Sequence, residues 1–417
     1  MKRPVGSPAR ARNGIRDLRG AARLALEATR GVTDVVESMH RTIARVPGLP
    51  AAPGERTTGI TGLVYRSVRG VTGLVGAALD SLLAAGEPLA GDRPAPLWHD
   101  NALAVVNGVL GDHLEASGNP LAIRLELRHQ GRPLVLERAA LAGAVPQASG
   151  HLLVLIHGLC MNERQFRRNG HDHGEALAAA TGCTPVQVRY NTGRHVSDNG
   201  RDLAAALEAL VREWPVPLTG LTLLGHSMGG LVARSAVHCA RQSGQPWPGV
   251  LRRLFFLGTP HHGAPLERGG HWIDRLLEAS PYTAALARVG RIRSAGITDL
   301  RHGSVLEADW RGRDRFAGAP SHHGHLPLPA GVRCHALAAT LSPSSSRTAA
   351  VPRRLRGDGL VPVRSALGQH ADPARCLAFA PQDQWVGHGL GHLDLLDSPQ
   401  VCARLIAWMR QDEPALR

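Results

Sequence analysis

Apolar residues recur along this chain with two different periods, and the change falls near residue 119. Before it the spacing is helical. GVTDVVESMHRTIARV carries Val32, Val35, Val36, Met39 and Ile43 on one face. After a Pro/Gly-rich break, PGLPAAPGE, the stretch GITGLVYRSVRGVTGLVGAALDSLLA sets Ile60, Val64, Val68, Val71, Val75, Leu79 and Leu82 on one stripe, away from Arg66 and Arg69. Glycines at 59, 62, 70, 73 and 76 weaken such a helix in isolation. The pattern therefore predicts a helix that packs, either on the rest of the chain or a partner, or flat on a membrane. Residues 1–20 are Arg/Gly/Pro-rich and read as a disordered basic tail, with a helical extension over 21–117.

Beyond 118 the periods are those of strands alternating with helices. LAIRLELRHQGRPLVLE alternates around Gln130-Gly131 and predicts a hairpin. HLLVLIHGL (151–159) is a continuous apolar run, expected of a strand buried on both faces of a parallel sheet. A helix near 173–181, the strand TPVQVRY and the helix RDLAAALEALVREW follow, the last with Leu203, Leu207, Leu210, Val211 and Trp214 on one face. Then come LTLLG, the helix LVARSAVHCARQ and the strand LRRLFFLG. Between Gly258 and the strand VRCHALAATL (332–341) lies a long insertion, expected over about 264–330 and read as a lid. The chain closes with SPQVCARLIAWMRQ, where Ser398 is an expected N-cap and Pro399 the first helical position. This alternation implies a mostly parallel sheet covered on both faces, an α/β domain over 118–411.

Within it, LTLLGHSMGGLVARSA places Ser227 between Gly225 and Gly229 where a strand gives way to a helix. That context makes the G-x-S-x-G match a nucleophile elbow, the tight turn that lifts a serine above a sheet. A serine hydroxyl needs a base to take its proton and an acid to orient the base. The expected chain order is serine, acid, histidine. GDGLVPVRSA supplies Asp358, and VGHGLGHLDLLDSPQV supplies His392, with His388 as the less favourably placed rival. Asp274, Asp383 and Asp394 are competing carboxylates for which exposure or structural hydrogen bonding is the expected role. The oxyanion donors should be the amides of Met228, next to the nucleophile, and Leu159, after His157-Gly158 at the end of the first buried strand. His157, Gly158, Gly225, His226 and Gly229 are the expected supports of the elbow and the oxyanion loop.

Charge and composition alter this picture little. The net charge is +14 and the pI about 10.9, but Lys2 is the only lysine and the arginines are spread along the chain. With 4% aromatics and no nucleic-acid-binding motif, no nucleic-acid partner is expected. The six cysteines form no CxxC pair, so they read as buried apolar side chains in a reducing compartment. The basic N-terminus lacks an apolar core, and no stretch reaches about 18 uninterrupted apolar residues. These features lead us to expect a cytoplasmic protein without signal peptide or membrane span, with membrane association through the N-terminal helices left open. The pairs His171/His173 and His261/His262 and the run His322, His323, His325 show no zinc-hydrolase spacing, and the expected chemistry requires neither metal nor cofactor.

Taken as a set, HGLCMN, YNTGRHVSDNG, GHSMGGLVARSA, FLGTPHHGAPLERGG, SAGITDLRHG, GDGLVPVRSALG and HLDLL resemble bacterial α/β-hydrolases of the GPI inositol-deacylase-like lipase group, over about 150–410. The resemblance implies an α/β-hydrolase fold with an inserted lid and a helical N-terminal extension. It also implies a serine esterase or lipase with Ser227, Asp358 and His392 as triad, acting on an acyl ester or lipid-like substrate. The family's action on GPI anchors is not carried over. Acyl transfer or thioester hydrolysis on the same triad is the near alternative. A scaffold or membrane-surface binding protein with a decayed hydrolase domain is the alternative of another class.

Overall fold

A computed structural model describes residues 13–43, 59–86, 97–264, 294–312, 324–343 and 357–411. The chain divides into two compact units, one of residues 1–99 and 114–122, the other of 100–113 and 123–417.

In the first unit α1 (Asn13–Ile43) and α2 (Gly59–Gly86) pack together. Their shared face is ionic. Asp80 of α2 takes Arg19 Nε at 2.7 Å and Arg23 Nε at 2.5 Å, and Arg69 pairs with Asp34 and with the buried Glu37. Leu26 packs where a Cβ on Gly76 would lie 2.9 Å from its Cδ1. These pairs explain one departure from expectation. The segment 13–20 is helical and not a disordered tail, and Arg19 of that segment is anchored by Asp80.

The predicted apolar stripe of α2 points outward. Val68, Val71, Val75, Leu79 and Leu82 are exposed, together with Leu74; the side chains of Ile60 and Val64 lie outside the described residues. Over Tyr65–Ala85 the helix has mean hydropathy 1.4 and is long and apolar enough to cross a membrane. An uninterrupted apolar count does not select it, because Arg66, Ser67, Arg69, Thr72, Asp80 and Ser81 break the run; Arg69 and Asp80 pair with α1, and Arg66 is exposed.

The second unit is built on an eight-stranded sheet. Its strands are β1 (Glu126–His129), β2 (Arg132–Pro133), β3 (His151–Ile156), β6 (Thr184–Arg189), β7 (Gly220–His226), β8 (Leu251–Leu257), β9 (Arg333–Thr340) and β10 (Gln384–His388). Their order is β10-β9-β8-β7-β3-β6-β1-β2, with only β1 and β2 antiparallel to their neighbours. The two-stranded β4 (Arg167–Arg168) and β5 (His171–Asp172) form a separate ribbon. The expected hairpin turn is made by Gln130 at φ 49° and Gly131 at φ 75°, the doubly positive pair that matches strand twist in a two-residue loop.

Helices α5 (His173–Thr181), α6 (Val196–Glu213), α7 (Met228–Gln242) and α10 (Pro399–Arg410) accompany the sheet, with α4 (Arg138–Ala144), α8 (Ala295–His302) and the short α9 (Val363–Ala366). β3 and β7 are apolar because they are central and covered on both faces. Leu152 to Ile156 are buried without exception, and the core continues through Phe255, Leu395 and Trp408. In α6, Leu203, Leu207 and Leu210 are buried as the spacing requires, as is Trp214 just past its end, while Val211 is half-buried. Ser398 occupies the N-cap position of α10, but its side chain makes no capping bond.

One boundary differs from that expected. Helix α3 (Leu97–Ala116) belonged by pattern to the N-terminal extension, yet its segment Asp100–His113 clusters with the α/β unit. Asp100 receives Arg189 Nη2 at 3.1 Å and Arg164 Nη1 at 3.0 Å, which ties the helix to β6 and the loop after β3. Of the expected lid, residues 265–293 and 313–323 lie outside the described residues.

Candidate active site

The chain turns from β3 to β6 on one side and then to β7 and β8 on the other. The carboxyl ends of β3 and β7 therefore flank a topological switch point, where crevices open in α/β sheets. Ser227 follows β7 directly, at φ 53° and ψ −121°, a backbone conformation that non-glycine residues adopt only when their surroundings impose it. The packing imposes it here. A Cβ on Gly225 would lie 2.4 Å from Gly230 N, and one on Gly229 would lie 2.1 Å from Ile156 O, so α7 can close on the strand ends only with glycine at both sites. The Ser227 amide donates to Leu257 O at 2.8 Å, fastening the elbow to β8.

His392 and Asp358 arrive from loops after β10 and β9. His392 Nδ1 donates to Asp358 Oδ2 at 2.7 Å, and the His392 amide donates to Asp358 O at 3.0 Å. Asp358 Oδ1 accepts the amides of Leu360 at 2.9 Å and Val361 at 2.7 Å. With its proton on Nδ1, His392 presents a bare Nε2 lone pair. Both residues are buried.

Contacts on either side of the serine bring this dyad to the elbow. His226 Nε2 donates to His392 O at 3.2 Å, with ring centroids 4.7 Å apart. A Cβ on Gly258, the residue after Leu257, would lie 3.0 Å from His392 Cε1. Ser227 Oγ makes no hydrogen bond among the described residues. Its Cβ abuts Gly158, where an added Cβ would come within 3.1 Å.

The loop after β3 is held open by its neighbours. Cys160 takes φ 58°, its amide donates to Thr192 Oγ1 at 3.1 Å, and the Met161 amide donates to Gly158 O at 3.3 Å. The amides of Leu159 and Met228 find no protein acceptor among the described residues. His157 is fully buried and stacks on Tyr190 with centroids 4.4 Å apart, while Tyr190 Oη donates to His157 O at 2.7 Å. Burial drops the His157 pKa to about 4 and holds that of His226 well below its ordinary value, so both rings are neutral beside the dyad.

Several residues that hold this geometry lie in the resembling segments but had no role assigned from sequence. Thr192 braces the loop after β3 by accepting the Cys160 amide. Asn191 Nδ2 donates to Gly111 O and its Oδ1 accepts the Gly193 amide, linking the loop after β6 to the Asp100–His113 segment. In α8 a Cβ on Gly296 would lie 2.0 Å from Thr192 O and 3.0 Å from Met228 Cε, so the described part of the insertion packs against the elbow. The YNTG and SAGI segments meet at this contact, which joins both to the elbow.

The rivals fall elsewhere. His388 ends β10 and is exposed. Asp394 accepts the Gly391 amide, Asp383 lies 3.1 Å from His335 Nδ1, and Asp274 is outside the described residues. Arg234 Nη1 donates to His261 Nδ1 at 3.3 Å, and His262 Nε2 donates to Gly368 O at 3.0 Å. His322 and His323 are not described.

A strained elbow at the switch point of a mostly parallel, helix-covered sheet defines the α/β-hydrolase fold, of the kind found in lipases, esterases and thioesterases. Residues 147–326 match the family described as the PGAP1-like alpha/beta domain, a span that contains the His157 loop and the elbow and stops before Asp358 and His392. Among curated proteins none matches the chain. Similar solved structures include the Bacillus licheniformis lipase BlEst2 in mature form (17% identity, TM-score 0.39, covering 62% of this chain and 89% of that one). Another is Aspergillus fumigatus lipase B (10%, TM-score 0.39, 67% and 55%). A third is the RedJ thioesterase of the Streptomyces coelicolor prodiginine pathway (18%, TM-score 0.35, 63% and 86%).

Proposed function

We propose that this chain hydrolyses carboxylic esters through an acyl-enzyme, with Ser227 as nucleophile, His392 as base and Asp358 as its orienting acid. The observation that carries the reading is the buried Asp358–His392 pair delivered to a serine at φ 53°. His392 Nε2 takes the Ser227 proton as Oγ attacks the acyl carbon. Asp358 holds the other ring nitrogen and stabilises the imidazolium. The oxyanion is received by the amides of Leu159 and Met228. His392 then returns the proton to the leaving alcohol, and a water activated the same way releases the acid. Acyl transfer and thioester hydrolysis use the same residues and differ only in acceptor or leaving group.

The test is fluorophosphonate labelling together with ester turnover, comparing wild type with Ser227→Ala and His392→Ala. Labelling confined to wild type supports the reading. Equal labelling of Ser227→Ala refutes it. Product analysis with water, alcohol and thiol acceptors separates hydrolysis from transfer.

For the substrate and its setting we infer a lipid-like ester met at an anionic membrane surface, where α2 lies. This inference rests on the distribution of charge across the helix pair. Of the charged side chains of the Tyr65–Ala85 stretch, Arg69 and Asp80 turn inward to α1 and Arg66 is exposed, while Val68, Val71, Leu74, Val75 and Leu82 face outward, the reverse of a helix made for water. Residues 1–99 hold 14 Lys and Arg against 8 Asp and Glu, which complements anionic lipid. Flotation of the full chain with phosphatidylglycerol vesicles should be lost in Leu74→Asp/Leu82→Asp. Concentration-dependent dimers abolished by the same substitutions, without flotation of wild type, would assign the face to a second copy instead.

A further inference from the structure

We propose that His171, His173 and Cys402 form a binding site for a zinc-type transition-metal ion, separate from the serine and independent of the ester-hydrolysis reading. The three residues come from β5, the first position of α5 and the first turn of α10, and their ligand atoms all lie within 4.8 Å of one another. Histidine nitrogen and cysteine sulfur are the donors that zinc selects, and three of them leave a fourth tetrahedral position for water.

The tautomers are already set. His173 Nε2 donates to Leu395 O at 2.9 Å, so its Nδ1 carries a lone pair. That lone pair faces His171 Nε2 at 2.8 Å, so a single proton now sits between the two rings. A ring N–H held by a backbone carbonyl while the other nitrogen faces the site is the arrangement that orients metal-bound histidines. A metal ion would replace the shared proton. Zinc–nitrogen bonds of about 2.0 Å at the tetrahedral angle need the nitrogens roughly 3.3 Å apart, so the rings open by about half an ångström. The His171 proton moves to Nδ1 of the same ring, the Cys402 thiol releases one proton, and the metal takes the thiolate; one proton leaves per ion bound.

The surroundings suit this. Cys402 is a buried free thiol, His173 is fully buried, and His171 is half-buried on the ribbon, leaving an approach from solvent. No acidic side chain is needed, but Asp397, held by Arg168 Nε at 3.1 Å and Asn169 Nδ2 at 2.6 Å, contributes negative charge close to His173. The site also reaches the catalytic loop. Leu395 lies in the helical turn Leu393–Leu396 directly after His392, so an ion that fixes His173 tightens the segment bearing His392.

The experiment uses the chelator-stripped full chain titrated with Co²⁺ and Zn²⁺. We expect one ion per chain, a thiolate-to-cobalt charge-transfer band, and a rise in melting temperature with zinc. Cys402→Ser should lose the band. His171→Gln, which can still donate to His173, should bind at least tenfold more weakly while its apo form melts with wild type. Absence of the band in wild type at one equivalent overturns the proposal. So does binding left unchanged by both substitutions, which would place the ion on other members of the 22 histidines.

Discussion

Replacing Asp358 by asparagine isolates the orientation of His392 from the burial of the site. In wild type Asp358 Oδ1 accepts two backbone amides, at 2.9 and 2.7 Å, and Oδ2 accepts His392 Nδ1–H at 2.7 Å. An asparagine side chain has one acceptor and one donor to place in these two positions. Turning its NH₂ towards Leu360 and Val361 would leave two buried amides without acceptors, at about 1–3 kcal/mol each. Either figure approaches or exceeds the ~1.4 kcal/mol that shifts a population tenfold. The carbonyl therefore stays on the amides and the NH₂ faces His392. The imidazole must then accept at Nδ1 and carry its proton on Nε2, where it cannot take one from Ser227. We expect kcat for an activated acyl ester to fall by about 10³–10⁴, the loss produced by a wrong tautomer in a triad. KM and the melting temperature should change far less. A variant retaining a tenth of wild-type kcat would refute the assigned role of Asp358.

Other substitutions and conditions probe the same structure. Ser227→Gly removes the φ 53° strain, so it should abolish fluorophosphonate labelling while raising unfolding free energy by about 1–3 kcal/mol; denaturant titration checks this, and a less stable variant contradicts the strain. Gly229→Ala drives a methyl to 2.1 Å from Ile156 O, so we expect a loss of at least ~3 kcal/mol or no soluble protein, and wild-type stability would show that α7 can shift freely. Burial lowers the pKa of both His157 and His173 to about 4, below the unfolded value, so each contributes stability that is present above pH 6.5 and lost as pH falls towards 4. At pH 5.5 the loss is roughly 1.4 kcal/mol for each. Urea unfolding at pH 7.5 and 5.5 should therefore differ by at least about 2–3 kcal/mol, since the buried rings of His226, His261 and His262 act in the same direction, and identical midpoints would mean these rings are hydrated.

Local pattern carried the sheet strands of the α/β domain because each strand's period reflects how many of its faces are covered. HLLVLI reads as central since both faces are buried, and TPVQVR alternates since one face is less covered. The elbow was equally legible, because the glycines at 225 and 229 answer steric limits only a few residues away. Candidate partners could be named from chain order, but their meeting is a tertiary event. Asp358 and His392 are separated by 34 residues, and their contact depends on Asp358 Oδ1 being occupied by its own turn.

Other features had no local signature. The Asp100–His113 segment shares its helical period with α1 and α2, and tertiary contacts such as those of Arg164, Arg189 and Asn191 assign it to the α/β unit. The outward turn of the α2 stripe was equally hidden, since periodicity finds an apolar face without saying what lies opposite it. The ion pairs of Asp80 and Arg69 with α1 decided that. His171 and His173 are neighbours in sequence, but Cys402 is more than 200 residues away. Covalent spacing and backbone sterics are written in the sequence; which distant side chains share a volume was settled only when the sheet assembled and α10 packed beside α5.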